Sequence, residues 1–282
     1  MAANTELKVL AVGAAGPSAS LVVPELLKRG ASVRGFVHKA EDEKTTQSLG
    51  ITDVVVGELS DDEAVRKALA GLDAVFYIAP AALENEAEVG TKFVALAKAA
   101  GVRRVVFSSV IHPVLSALEN HAAKAPVEEA LISSGMEYVF LQPGLFYQNL
   151  APGWAKVKES GVFAEPYSME SRFSRVDYRD VAEVAAMALT EDKLLYGTFE
   201  LVAEGNLDRH DVAALMGEVL GKPVKPMKVE IPAQAGLPPK LTRMFDWYEK
   251  HSLLGNATTL RAVLGREPRT LRAFLEDLNA KG

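Results

Sequence analysis

Apolar and polar positions alternate in blocks along the first half of the chain. Short apolar runs rich in Val, Ile, Phe and Tyr occupy 7–12, 33–37, 53–56, 73–78, 104–108 and 137–141. Their length and residue types predict strands. Their near-continuous apolar character predicts burial on both faces. Between them lie stretches of helical spacing at 19–28, 62–69, 86–100 and 127–133. Strand–helix alternation repeated this often implies right-handed βαβ units, and so an α/β fold on a doubly wound parallel sheet.

The rhythm breaks after Gln142-Pro143-Gly144. Residues 145–178, with Pro152, Gly153, Gly161 and Pro166, read as loop-rich. A helix is predicted at 180–189, a strand at 197–202, and a helix at 207–220 that stops at Gly221-Lys222-Pro223. A Pro-rich stretch, 223–239, precedes amphipathic pieces near 240–250, 257–264 and 270–279. The expected division is a nucleotide-binding domain over 1–150. A smaller α/β region over 151–282 would pack on it, on the substrate side, and not fold independently.

Composition narrows the chemistry. A 282-residue chain with 49% hydrophobic residues can bury a substantial core. The absence of Cys removes disulfide scaffolds, thiolate zinc sites and a cysteine nucleophile. The five His, at 38, 112, 121, 210 and 251, form no i, i+4 pair, so no metal is expected. No G-x-S-x-G elbow is present. A net charge of −6 gives no electrostatic footprint for nucleic acid. No apolar run approaches the roughly 18 residues of a membrane span. The opening MAANTELKVL is a polar lead into a strand and not a secretory signal. A soluble, cytoplasmic protein is the expectation.

The junction of the first strand and first helix reads Val12-Gly13-Ala14-Ala15-Gly16-Pro17-Ser18-Ala19. Gly13 permits a tight turn, and Gly16 allows backbone to approach a pyrophosphate. Pro17 suits a first helical turn, where its missing N–H costs nothing. Ala15 and Ser18 complete a loop that offers free amides and a positive helix end to phosphates. Ala19 stands where a third glycine often serves helix–strand packing. The alternative is a purely architectural turn. No Asp or Glu ends the second strand to hold a ribose 2′-hydroxyl. Lys39, helped by Arg34 or His38, could neutralise a 2′-phosphate, which favours NADP(H) over NAD(H).

Taken in order, these segments resemble the NmrA-like group of atypical short-chain dehydrogenase/reductases. The glycine turn resembles that group's G-A-x-G-x-x-G. Residues 33–39 resemble its second strand, with His38 where an Arg is usual. Gly57-Glu58-Leu59 resembles a G-D-L segment whose acid lies near the adenine. Residues 73–80 resemble the fourth strand and the turn, at Ala79-Pro80, that passes under the nicotinamide. Ser108-Ser109, the Lys124 to Glu129 helix start, and Leu141-Gln142-Pro143-Gly144 running to Asn149 match further segments, with Gln142 in place of Arg. Tyr178-Arg179-Asp180 and Leu264-Gly265-Arg266 resemble late ones. The resemblance implies a Rossmann-type core with an NAD(P) site and a substrate cleft. It covers NAD(P)H-dependent reductases of small aromatic, quinone or carbonyl compounds, and also regulators that sense the dinucleotide without turnover. The expected partner is a small molecule, aromatic in character; a homodimer is compatible.

The usual catalytic Tyr stands four residues before the Lys that holds the nicotinamide ribose. Lys124 fits that Lys, but Asn120 occupies the Tyr position. Pro126 cannot sit in a helix interior, so Lys124 is expected at a helix start. Candidate proton donors or substrate contacts are His121, Tyr147, Ser109 and His112; a proton from water is the alternative. Phe146, Tyr147, Trp154, Phe163, Tyr167 and Phe173 either line a pocket for a planar substrate or anchor their loops on the core.

Overall fold

In the computed structural model, which describes residues 6–80, 83–231 and 236–281, the apolar runs of the first half are strands of one sheet. The first five residues of the polar lead and residues 232–235 of the Pro-rich stretch lie outside the described residues. The elements are β1 (Lys8–Val12), α1 (Ala19–Lys28), β2 (Ser32–Val37), α2 (Asp42–Ser48), β3 (Asp53–Val56), α3 (Asp62–Leu69), β4 (Ala74–Tyr77), α4 (Glu86–Ala99), β5 (Arg104–Ser108), α5 (Glu119–Ala122), α6 (Ala125–Ser134) and β6 (Glu137–Pro143). With β10 (Thr198–Leu201) the seven strands run in the order β10-β6-β5-β4-β1-β2-β3.

β1 lies between β2 and β4, parallel to both, with Leu10 opposite Arg34 and Val75. The chain leaves β1 toward one edge and returns on its other side. Their carboxyl ends therefore form the switch point where α/β sheets hold ligands. Val9, Leu10, Ala11 and Val12 are all buried, as a central strand covered on both faces requires. Leu10, Val12, Phe36, Val75, Tyr77, Phe93 and Phe107 join one core, in which the Tyr77 ring stacks on Phe93 at 4.5 Å. α3 begins where the Asp61 carboxylate accepts the amides of Glu63 and Ala64. α2, Asp-Glu-Lys-Thr-Thr-Gln-Ser, carries no apolar stripe, so hydrophobic spacing gave it no signal.

The stretch read as loop-rich is largely ordered. It holds β7 (Leu145–Phe146), a 3₁₀ helix (Tyr147–Gly153), α7 (Trp154–Ser160), β8 (Val162–Glu165) and β9 (Phe173–Val176). Each element is short, and its few apolar anchors are separated by Pro and Gly, which obscures any period. β11 (Asn206–Leu207), β9 and β7 form one small sheet; β12 (Lys225–Lys228) pairs with β8. The remaining helices are α8 (Tyr178–Thr190), α9 (Arg209–Leu220), α10 (Pro239–Tyr248), α11 (Thr258–Leu264) and α12 (Leu271–Ala280). α9 starts in a capping box between Asp208 and Asp211.

Two compact units result. The first comprises Met1–Val114, His121–Gln142 and Val181–Phe199; the second comprises Leu115–Asn120, Pro143–Asp180 and Glu200–Gly282. The second has its own core of Tyr147, Leu150, Trp154, Val157, Phe163, Val212, Met216, Leu271 and Phe274, among others. Among the described residues no helix is long and apolar enough to cross a membrane.

Candidate functional site

The glycine turn is built as the residue types require. Gly13 has φ +68, a left-handed conformation that side chains resist, and its amide donates to the Phe36 carbonyl at 2.8 Å. Gly16 donates to the Gly13 carbonyl at 2.7 Å. A Cβ on Gly16 would stand 3.0 Å from that carbonyl oxygen, so a side chain there presses on the backbone of the turn. Pro17 and Ser18 lead into α1, whose first turn has no acidic residue and whose N-cap Ser18 makes no side-chain cap. That positive end has neither an acid in its first turn nor a side-chain cap, which fits a pyrophosphate. Ala14 and Ala19 are buried beneath the turn, while Ala15 is half-buried at its surface.

His38 and Lys39 follow β2, and both are exposed. The Gly57 amide donates to the Val37 carbonyl at 2.9 Å, which brings Glu58 beside them, with its Oε1 3.7 Å from His38 Nδ1. Arg34 is not available to help. Its guanidinium is committed to Asp53 at 2.8 Å and to the carbonyls of Ala68 and Ala70 at the C-terminal end of α3. Two of the three cations considered from sequence therefore stand at the end of β2.

At the ends of β4 and β5 stand Ala79, buried, Pro80, exposed, and the Ser108-Ser109 pair, both buried. The Ser109 amide donates to the Leu141 carbonyl at 2.8 Å, and its Oγ is buried with no partner among the described residues. His112 adopts φ 54, a strained conformation for a residue with a side chain. Beside it the buried His121 ring donates from Nδ1 to the Ile111 carbonyl at 2.6 Å. Burial pushes the His121 imidazole down to about 4, so it is neutral at pH 7. It braces the 111–112 turn.

Lys124 is the N-cap of α6, with Pro126 in the first turn, as the proline clash demands. Its ammonium pairs with the carboxylate of Glu86, the first residue of α4, and both side chains are buried. Above this pair the fully buried Tyr77 hydroxyl has no partner among the described residues; burial and the Glu86 charge raise its pKa. Sequence reasoning missed Glu86 and Tyr77, since an acid opening a helix and a Tyr within an apolar strand are ordinary in isolation. Gln142 donates to Glu128 at 3.0 Å and ties β6 to α6.

The second unit takes up Tyr147 as a core residue. Its ring packs 5.7 Å from Phe274, and burial raises its phenol pKa. Trp154 and Phe163 share that core. Tyr167 lies edge-on to Phe173 at 5.3 Å and to Tyr248 at 5.5 Å, and Phe146 meets Tyr178 at 4.7 Å. These rings anchor the short elements of 145–178. Asn120, at the position of the usual Tyr, donates to the Met244 sulfur at 3.5 Å.

The chain is similar to known proteins over nearly its whole length. A model of the NmrA-like family matches residues 5–275. An NAD(P)H azoreductase of Xenophilus azovorans is 28% identical, over 94% of this chain and 96% of its own. Quinone oxidoreductase 2 of Escherichia coli K12 is 24% identical over 94% and 96%. A Citrobacter sp. triphenylmethane reductase solved with NADP(H) superposes with a TM-score of 0.83 at 22% identity, over 96% of this chain and 99% of that one. NmrA, a negative transcriptional regulator solved with NAD, superposes with a TM-score of 0.79 at 17% identity, over 98% of each chain.

Proposed function

The chain belongs to the NmrA-like family, and we propose that it is an NAD(P)H-dependent oxidoreductase reducing a small aromatic, quinone or carbonyl compound. The observation that carries the reading is the glycine turn at Gly13 and Gly16, set against an N-terminus of α1 with no acid in its first turn and no side-chain cap, at the switch point of the sheet. Likeness to the azoreductase and the quinone oxidoreductase over nearly the full chain supports catalysis on aromatic acceptors.

When bound, the reduced nicotinamide supplies the hydride. In this reading the turn from Gly13 to Ser18 holds the pyrophosphate through the Ala15 and Ser18 amides, since the Gly13 and Gly16 amides are already bonded to chain carbonyls and Pro17 has none. Lys39, with His38, meets the 2′-phosphate and gives a preference for NADP(H), and Glu58 borders the adenosine. Ala79 and Pro80 border the nicotinamide, and Lys124 orients its ribose, with Glu86 holding the ammonium in place. The unpartnered Ser109 Oγ is the hydroxyl assigned to the acceptor. Neither His121 nor Tyr147 is assigned a proton transfer. His121 is buried and neutral down to about pH 4, and Tyr147 is a buried phenol with a raised pKa. The proton comes from water, which suits acceptors that are reactive toward hydride alone.

Loss of the usual Tyr, with Asn120 in its place, favours a second reading: a regulator that binds the dinucleotide without turnover. Titrating the protein with NADPH and NADH, then adding quinones, azo dyes and aromatic ketones, separates the two. Acceptor-dependent loss of reduced-nicotinamide absorbance establishes the reductase. Tight binding without oxidation across the panel establishes the sensor.

A further inference from the structure

We propose that the second unit contains an oxyanion site between Arg175, in β9, and Arg209, which opens α9. It would take a carboxylate- or phosphate-class group. The two residues are only 3% and 2% exposed. Among the described residues one carboxylate, Glu165, lies within ion-pair distance of both, with its Oε2 3.9 Å from Arg175 Nη2 and 3.6 Å from Arg209 Nε. Both separations exceed hydrogen-bond length. That same oxygen already accepts the Tyr167 hydroxyl at 2.7 Å.

Arg209 Nη1 donates to the Met227 carbonyl at 3.1 Å. Arg175 Nε, Arg209 Nε and Arg209 Nη2 are buried with no hydrogen-bond partner among the described residues. The guanidinium faces are held by rings, with Arg209 4.9 Å from the Tyr167 centroid and Arg175 5.8 Å from that of Phe173. Such contacts orient the planes and leave the N–H groups unused. Two desolvated cations thus share one carboxylate and present unmade donors, a costly arrangement unless an anion completes it. Paired oxygens on one carbon or phosphorus supply the acceptors that the two forks lack.

Glu165, 22% exposed, lines a cavity of about 390 Å³ together with Phe163, Met216, Met227 and Lys156, while the two arginines lie behind it, so an anion would reach them only as Glu165 shifts. Glu165 is then an internal stand-in that an incoming oxyanion displaces or joins.

The test uses the full chain. Thermal unfolding is followed during titration with acetate, benzoate and inorganic phosphate, against chloride at equal ionic strength. A saturable rise in Tm is expected with an oxyanion and not with chloride. The open end of α1 also attracts anions, so Gly16→Val is titrated in parallel. The rise should persist there and should weaken at least about thirtyfold in apparent affinity in Arg175→Met. Glu165→Gln removes the competing charge and should tighten binding by about threefold or more; it decides the matter if Arg175→Met does not fold. No saturable rise in the wild type overturns the proposal. So does a rise lost in Gly16→Val, or one that Glu165→Gln leaves unchanged. None of these readouts depends on turnover, so the site can fail while the reductase reading stands, and the reverse. If the anion is part of a reductase substrate, Glu165→Gln lowers KM for an acid-bearing quinone and not for its neutral counterpart; equal KM changes indicate a free anion.

Discussion

Each unit buries arginines, and the two sets are finished differently. Arg104, in the first unit, is 1% exposed and fully engaged. Its Nε meets Glu137 at 2.8 Å, its Nη1 reaches the carbonyls of Ala188, Leu189 and Glu191, and its Nη2 meets Asp192. It neutralises the carbonyl end of α8 and locks it beside β5. Arg175 and Arg209, in the second unit, are as deeply buried, yet Arg175 Nε, Arg209 Nε and Arg209 Nη2 have no acceptor among the described residues. Burial alone therefore does not distinguish a structural arginine from a recognition arginine. The count of satisfied donors does, because an unmade hydrogen bond to a buried charge is costly unless something outside the chain completes it.

The largest effect is expected at the satisfied member. Arg104→Met strands the buried Ala188 and Leu189 carbonyls at the end of α8, while Glu137 keeps its pair with Arg103, and should cost about 3–5 kcal/mol in urea unfolding. Arg209→Met, which strands fewer acceptors, should cost clearly less; equal losses would break the comparison.

A second buried cation-former sharpens it by refusing its charge. His121 is buried neutral, so its folded pKa, about 4, lies below the ordinary 6.5. Between these values the unfolded chain binds a proton that the folded chain does not. Stability is complete above pH 6.5 and falls as pH drops toward 4, by up to about 3 kcal/mol. His121→Gln should show a flatter dependence over that window in unfolding curves taken at several pH values.

Next come the ligand ends. Gly16→Val should raise the Kd for NADPH at least about tenfold, with far-UV circular dichroism unchanged, because its side chain meets the Gly13 carbonyl. Unaltered affinity would remove the turn from the site. The smallest effect is at the exposed Lys39. Lys39→Ala should weaken NADPH by about tenfold and NADH by roughly twofold or less, the difference being one charge-assisted contact. Equal losses would sink the 2′-phosphate assignment.

Legibility followed local density of signal. The helix predicted at 19–28 is α1, Ala19–Lys28, and the run at 53–56 is β3, since apolar spacing and turn residues agree there. The glycine turn was legible because φ +68 and close approach demand specific residues at adjacent positions. α2 was not, because a polar surface helix carries no stripe. The 145–178 stretch was not, because its elements are shorter than the periods that reveal them. Tyr147, offered as a donor or substrate contact, proved a core ring, and Arg34, offered as a phosphate ligand, proved committed to Asp53 and to carbonyls at the C-terminal end of α3.

The sequence by itself determined the α/β class, the switch-point turn and the start of α6. Each rests on steric limits that act within a few residues: strand burial, left-handed backbone and the proline clash. Only the tertiary structure decided which charges are answered. Lys124 finds Glu86, Gln142 finds Glu128, and Arg175 and Arg209 find too little. Those partners come from distant parts of the chain. Hydrogen-bond satisfaction is a property of the assembled fold, and no spacing along one strand or helix encodes it.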